Sequence, residues 1–183
     1  MRNIIYDVAA SLDGFIAAPG DDISAFPMEG EHVAAYQQRL AGYDTVIMGR
    51  RTYEFGYTFG LKPGMRAYPH MQHVIFSKGI KLPQKSDVEV APQNWLKTID
   101  SLKAATGTDI YLCGGGAFAG YLLANGCIDR LIVKLAPIVL GSGIQLFGDI
   151  ANQATLEPVK IDKYDNGVIL LEYQLNSSGR NTS

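Results

Sequence analysis

Three stretches of this 183-residue chain place anion-binding residue types just after short apolar runs. The first is Gly49-Arg50-Arg51-Thr52. Adjacent arginines at a helix start repel each other and oppose the helix dipole, and a bound anion removes that conflict. Arginine forks take phosphate through paired hydrogen bonds, and Thr52 adds a hydroxyl. The plainer reading of the same residues is a solvated charged turn. The second stretch is Ser77-Lys78, a hydroxyl and a cation. The third is Gly114-Gly115-Gly116, ahead of a predicted helix. Glycine lets backbone approach a ligand closely, and the first N–H groups of the helix are free for an anion. The triple glycine is not GxGxxG, because Ala119 holds the last position, and no Lys-Ser/Thr pair follows to make a P-loop. A tight strand-to-helix turn explains it equally well.

A reductive chemistry also needs a proton source. The carboxylates of interest are Asp13, Asp21, Asp22, Glu29 and Glu31. Asp13 reads first as an Asx turn closing a strand. Asp22 and Glu31 read equally as substrate-facing acids or as charges that favour a helix N-terminus. Tyr53, Phe55, Tyr57 and Phe59 could stack on a flat ring, although packing is the commoner use.

The bulk numbers exclude other classes. Net charge is −2, with the basic residues scattered, so a nucleic-acid partner is not expected. Cys113 and Cys127 sit in apolar runs without metal spacing, and His32, His70 and His73 form no ligand motif; no metal is expected. The N-terminus is no secretory signal, and no apolar run is long enough to span a membrane. A soluble cytoplasmic protein is expected. Charged residues make up 19%, against about 25% in typical domains, which points to a surface covered by a second subunit.

The elements that must position these residues follow from pattern. Ile4–Ala10, Thr45–Met48, His73–Phe76 and Ile110–Cys113 are short buried strands, with Val88–Val90 a shorter one. Phe15–Ala17 resumes after the Asp13-Gly14 turn. Helices are predicted from Glu29 to Leu40, from Arg50 to Phe55, along the Leu96, Ile99, Leu102 stripe, and from Phe118 to Asn125. Ile128–Val139 reads as one long strand, and Leu156–Tyr164 with Val168–Gln174 as a hairpin about Asn166-Gly167. The expectation is a three-layer α/β fold, parallel inside, with an antiparallel C-terminal hairpin. Residues 1–175 form a single domain in this reading, and 176–183 a polar tail.

Five motifs in this order carry a resemblance: Ser11-Leu12-Asp13-Gly14-Phe15-Ile16-Ala17, Val46-Ile47-Met48-Gly49-Arg50-Arg51-Thr52, Val74-Ile75-Phe76-Ser77, Leu112-Cys113-Gly114-Gly115-Gly116 and Leu135-Ala136-Pro137-Ile138-Val139-Leu140-Gly141-Ser142-Gly143. The set resembles the dihydrofolate reductase superfamily. Its closest likeness is to the reductase domain of the bifunctional riboflavin-biosynthesis deaminase-reductase.

The resemblance implies a mixed central sheet of about eight strands, NADPH as hydride donor, a small-molecule substrate and a homodimer. By position, Arg50 meets the cofactor's 2′-phosphate, helped by Ser77 and Lys78, while Arg51 and Thr52 hold the pyrophosphate. Gly49 brings backbone to the cofactor. Gly114 and Gly115 match the family's cis glycine pair, and Gly116, Ala117 and Phe118 offer backbone to phosphate. Ala10 and Ile16 line the nicotinamide. Glu31 and Asp22 fall near the place of the substrate-gripping acid. Ser24-Ala25-Phe26 stands where many relatives carry an acidic residue and tryptophan, which leaves the substrate open between a pyrimidine ribityl or ribosyl phosphate and a pterin-like ring. A nucleotide-binding protein without efficient catalysis is the competing class.

Overall fold

The apolar runs become strands because successive residues face opposite layers. In the computed structural model, which describes residues 1–149 and 153–175, β1 spans Ile4–Ala10. Its Ile4, Tyr6 and Ala10 enter one core, and Ile5 enters the other. The chain continues through β2 (Phe15–Ala17), α1 (Glu31–Ala41), β3 (Thr45–Gly49), α2 (Arg50–Phe55), β4 (Gln72–Phe76), β5 (Glu89–Val90) and α3 (Trp95–Ala104). It ends with β6 (Ile110–Gly114), α4 (Gly116–Ala124), β7 (Arg130–Leu135), β8 (Ile144–Gln145), β9 (Leu156–Lys163) and β10 (Ile169–Leu175).

Eight strands form a mixed sheet in the order β5-β4-β3-β6-β1-β7-β10-β9, and β2 pairs with β8 in a small second sheet. The pairings from β5 to β7 are parallel, whereas β10 runs antiparallel to β7 and β9. Ile99 of α3 and Phe118 and Leu122 of α4 close the core on one face. Tyr36 and Leu40 of α1 and Tyr53 of α2 pack against the other. The chain thus has the expected three layers, with the hairpin at one edge.

Some boundaries differ from expectation. The apolar run Ile128–Val139 is strand only over Arg130–Leu135. Beyond it, Pro137 lacks an N–H for the ladder, and the segment turns onto the first loop, where Leu12 N–H donates to the Ile138 carbonyl at 2.8 Å. Asp13 draws it further, accepting from Leu140 N–H (3.1 Å) and Gly141 N–H (2.7 Å) as well as from the Ser11 hydroxyl (2.6 Å). Asp13 therefore does more than close its own turn: it joins segments 127 or more positions apart. β8 and a short 3-10 turn over Gly56–Phe59 carry too few residues to show a period. Helix α4 begins at Gly116, ahead of the expected Phe118. The polar tail at 176–183 lies outside the described residues.

Gly116 is required by packing. A Cβ there would stand 2.0 Å from the Gln145 carbonyl oxygen. Gly116→Ala is expected to destabilise the fold by about 1–3 kcal/mol in chemical denaturation, and an unchanged transition would count against this contact. The second expectation concerns acid. The Ser11 hydroxyl, then the Gly141 and Leu140 N–H groups, hold the Asp13 carboxyl at about 2 against an ordinary 3.8. A depressed carboxyl adds stability above its unfolded value and loses it as the pH falls through its folded value. Thermal unfolding between pH 4 and pH 2 should therefore be less steep for Asp13→Asn than for the parent, and equal slopes would refute the clamp.

Candidate functional site

Ligands of open α/β sheets bind beyond the carboxyl ends of the parallel strands. A cavity of about 910 Å³ occupies that place, between the sheet face and α1. At one end, Gly49, Arg50, Arg51 and Thr52 of the β3–α2 turn face Gly115, Gly116, Ala117 and Phe118 at the start of α4. β3 and β6 are paired neighbours, with Met48 opposite Gly114, which is why two motifs distant in sequence converge. The Gly114–Gly115 peptide is cis, and Gly114 has φ +120°. A Cβ on Gly115 would approach the Thr52 hydroxyl to 3.0 Å, so glycine keeps this gap open. Ala119 N–H already donates to the Gly115 carbonyl at 2.9 Å. The N–H groups of Gly116, Ala117 and Phe118 precede that first helical bond and have no intrahelical partner.

The arginine pair is eased by protein carboxylates. Arg50 Nε lies 3.7 Å from Glu54, and Arg51 Nη2 lies 3.2 Å from Asp21. These side chains are 51% and 75% exposed, so the pairs are weak and leave both guanidiniums open to an anion.

Other anticipated residues stand elsewhere. Ile16 lines the cavity, but Ala10 is buried behind its wall. Gly114 does not line it. Ser77 accepts from Gly79 N–H (3.1 Å) and Ile80 N–H (2.9 Å), closing its own turn, and Lys78 is exposed; neither lines the cavity. Both leave the sheet beside Arg50, because Gly49 pairs with Phe76. The two anticipated acids, Asp22 and Glu31, stand outside the lining of the cavity. Asp22 is exposed and accepts from Ser24 N–H at 2.8 Å, which holds its carboxyl below the usual range. Glu31 is exposed in the first turn of α1, where its charge favours the dipole. Neither lines the cavity; Asp7 and Asp21 do.

The far end of the cavity was not anticipated. Asp7, in the middle of β1, has a fully buried side chain. It accepts from Lys134 Nζ at 2.9 Å and from Arg39 Nε at 2.6 Å. Lys134 Nζ sits 3.4 Å from the centre of the Tyr36 ring. The Tyr36 and Tyr111 hydroxyls are 2.6 Å apart, and the Tyr68 hydroxyl lies 3.8 Å from Cys113 Sγ. Burial pushes the Lys134 ammonium down while Asp7 opposes it. Burial also pushes the Tyr36 and Tyr111 phenols and the Cys113 thiol up, which keeps them protonated at neutral pH. Tyr68 is held over the cavity by His73, whose Nε2 accepts from Tyr68 N–H at 3.2 Å while Nδ1 faces the Met71 carbonyl at 3.0 Å. Burial lowers His73 to about 4, so it stays neutral. The sequence did carry a signal for this cluster: Asp7 and Lys134 each interrupt an apolar strand, and buried charges must pair.

Among the described residues no group of histidine, cysteine and carboxylate side chains could hold a metal, and no helix is long and apolar enough to cross a membrane.

Comparison with known proteins agrees with this architecture. The chain is 26% identical over 182 residues to the uncharacterized protein YyaP of Bacillus subtilis (strain 168), covering 96% of each. It is 30% identical over 158 residues to the uncharacterized YwjB of the same organism, covering 85% of this chain and 88% of that one. A crystal structure from Shewanella sp. PV-4, described as a riboflavin biosynthesis protein, superposes with a TM-score of 0.80 at 22% identity, covering 96% of this chain and 99% of that one. The deaminase/5-amino-6-(5-phosphoribosylamino)uracil reductase of Thermotoga maritima superposes at 0.69 with 16% identity, and the match spans 57% of that longer chain. Reductase domains of this kind use a nicotinamide cofactor. The RibD C-terminal domain model matches residues 2–170, and the chain belongs to that family.

Proposed function

We propose that the chain is an NADPH-dependent reductase of a small, flat heterocyclic substrate, acting in the cytoplasm as a homodimer. One observation carries the reading: a single cavity joins an arginine-and-glycine cradle to a tyrosine-lined floor. The cradle suits the phosphates of a dinucleotide, because Arg50, Arg51 and Thr52 line the cavity together with the start of α4, whose first N–H groups are free, and a Cβ at residue 115 would crowd the Thr52 hydroxyl at 3.0 Å. Arg50, exposed on the rim, takes the 2′-phosphate, with Ser77 and Lys78 beside it. Arg51, Thr52 and the N–H groups of Gly116, Ala117 and Phe118 take the pyrophosphate. Ile16 walls the nicotinamide, with Ala10 packed behind. When bound, a reduced nicotinamide supplies hydride. Asp22 and Glu31 receive no role in proton delivery, since both lie off the cavity.

The dimer reading rests on the sheet edge. β9 is an outer strand with Val159 53% and Ile161 64% exposed, an apolar edge that a partner would cover. Light scattering on a sizing column should give twice the 19.9 kDa chain mass, and a monomer at micromolar concentration would exclude it. For the cofactor, Arg50→Ala should weaken NADPH by about 10-fold or more in fluorescence titration, the worth of charge-assisted hydrogen bonds, and leave NADH nearly unchanged. Equal losses would overturn the 2′-phosphate assignment, and binding of neither nucleotide would overturn the reductase reading.

A further inference from the structure

The polar cluster at the cavity floor stands apart from the arginine-and-glycine cradle. Its members differ in what they have left to offer. Both oxygens of Asp7 are engaged: Oδ1 accepts from Lys134 Nζ (2.9 Å) and Arg39 Nη2 (3.3 Å), and Oδ2 accepts from Arg39 Nε (2.6 Å). Lys134 has three N–H donors. One goes to Asp7, and the ring face of Tyr36 at 3.4 Å takes the charge from another side. A donor remains, on an ammonium whose side chain is 9% exposed and which lines the cavity.

The surroundings define what can accept it. Ala9, Val33, Ala136 and Val168 wall this part of the cavity together with the Tyr36 and Tyr111 rings. The charged and titratable groups about Lys134 are Asp7 from β1, Arg39 and Tyr36 from α1, and Tyr111 and Cys113 from β6. A phosphate dianion here would give up its water for one free N–H donor, at a site where Asp7 offsets one of the two cations Lys134 and Arg39 and leaves only a single positive charge, a heavy cost. The other cations among the described lining residues, Arg50 and Arg51, belong to the cradle. A neutral carbonyl oxygen demands only the one free donor, and its flat ring matches the aromatic walls.

We propose that this floor binds a neutral, flat, carbonyl-bearing molecule, whose oxygen accepts a hydrogen bond from Lys134 Nζ, in preference to a phosphorylated sugar derivative. Asp7 and Tyr36 act as positioning residues that aim the ammonium. The proposal deepens the reductase reading and rests on it only in giving the cradle to the dinucleotide.

Isothermal titration of the full chain with lumazine, a flat neutral dicarbonyl, and with uridine 5′-phosphate tests it, both with and without NADP⁺. Lumazine should bind about 10-fold or more tightly than uridine 5′-phosphate, and Lys134→Met should weaken lumazine by about 10-fold while NADPH titration is unchanged. Tighter binding of the phosphate, no binding of lumazine, or undiminished lumazine binding to Lys134→Met would overturn the proposal. Should Lys134→Met not fold, the two ligands compared on the parent protein decide. Lumazine binding that depends on Lys134, in a chain that binds no nicotinamide nucleotide, would sink the reductase reading and leave this inference standing.

Discussion

A carboxylate buried in the middle of a strand organises the working face of this protein. A carboxylate at zero exposure needs partners, and Asp7 draws them from two directions. Lys134 comes from β7, the neighbouring parallel strand, and Arg39 comes from α1, which covers the sheet. The same ion thus ties the central strand to a neighbour and sets how closely the helix can lie. Tyr36, one turn before Arg39, is brought over the ammonium by that arrangement and passes the order on to Tyr111 through their paired hydroxyls.

The hairpin at the far edge of the sheet takes part in the same architecture. Its tip residue Asn166 donates to the Glu29 carbonyl at 3.3 Å and approaches His32 Nδ1 to 3.0 Å. His32 Nε2 in turn lies 3.1 Å from the Pro27 carbonyl. The segment leading into α1 is therefore held by residues more than 130 positions away, and Val168 beside the turn lines the cavity. An element that looks peripheral in the strand order serves as a strut for the wall of the site.

Features set by local chemistry were legible in the sequence. Asn166-Gly167 announced the hairpin because the turn needs a left-handed residue, which Gly167 supplies at φ +83°, and Gly114-Gly115-Gly116 announced a close backbone approach because glycine carries no side chain. The alternation of strands and helices gave the fold class. What stayed hidden depends on contacts made through space. Asp7 and Lys134 lie 127 positions apart, and only the β1–β7 register, with Ala9 opposite Lys134 and Asp7 opposite Ile132, brings them together. Asp22 and Glu31 were placed by the resemblance, and their surroundings were not legible: Glu31 is exposed at the start of α1, and Asp22 accepts from Ser24 N–H. The end of β7 was obscured because the apolar run continues past the point where Pro137 and Asp13 redirect it.

The contact between Gly116 and the Gln145 carbonyl has a consequence for how the two ends of the cavity can vary. Gln145 also pairs with Phe15, Leu146 N–H donates to the Gly14 carbonyl, and the Tyr6 hydroxyl donates to the Leu146 carbonyl. The strand bearing Ile16, the start of α4 and β1 are thereby locked into one block through β8 and the residue after it. The opposite wall, carried by α1 and the loop before it, is joined to the rest by the hairpin, the ion triad, the Tyr36–Tyr111 hydroxyl pair and the packing of Tyr36 and Leu40. Changes in that wall can therefore alter the shape of the cavity while the block holding Ile16, Gly116 and β1 together stays as it is.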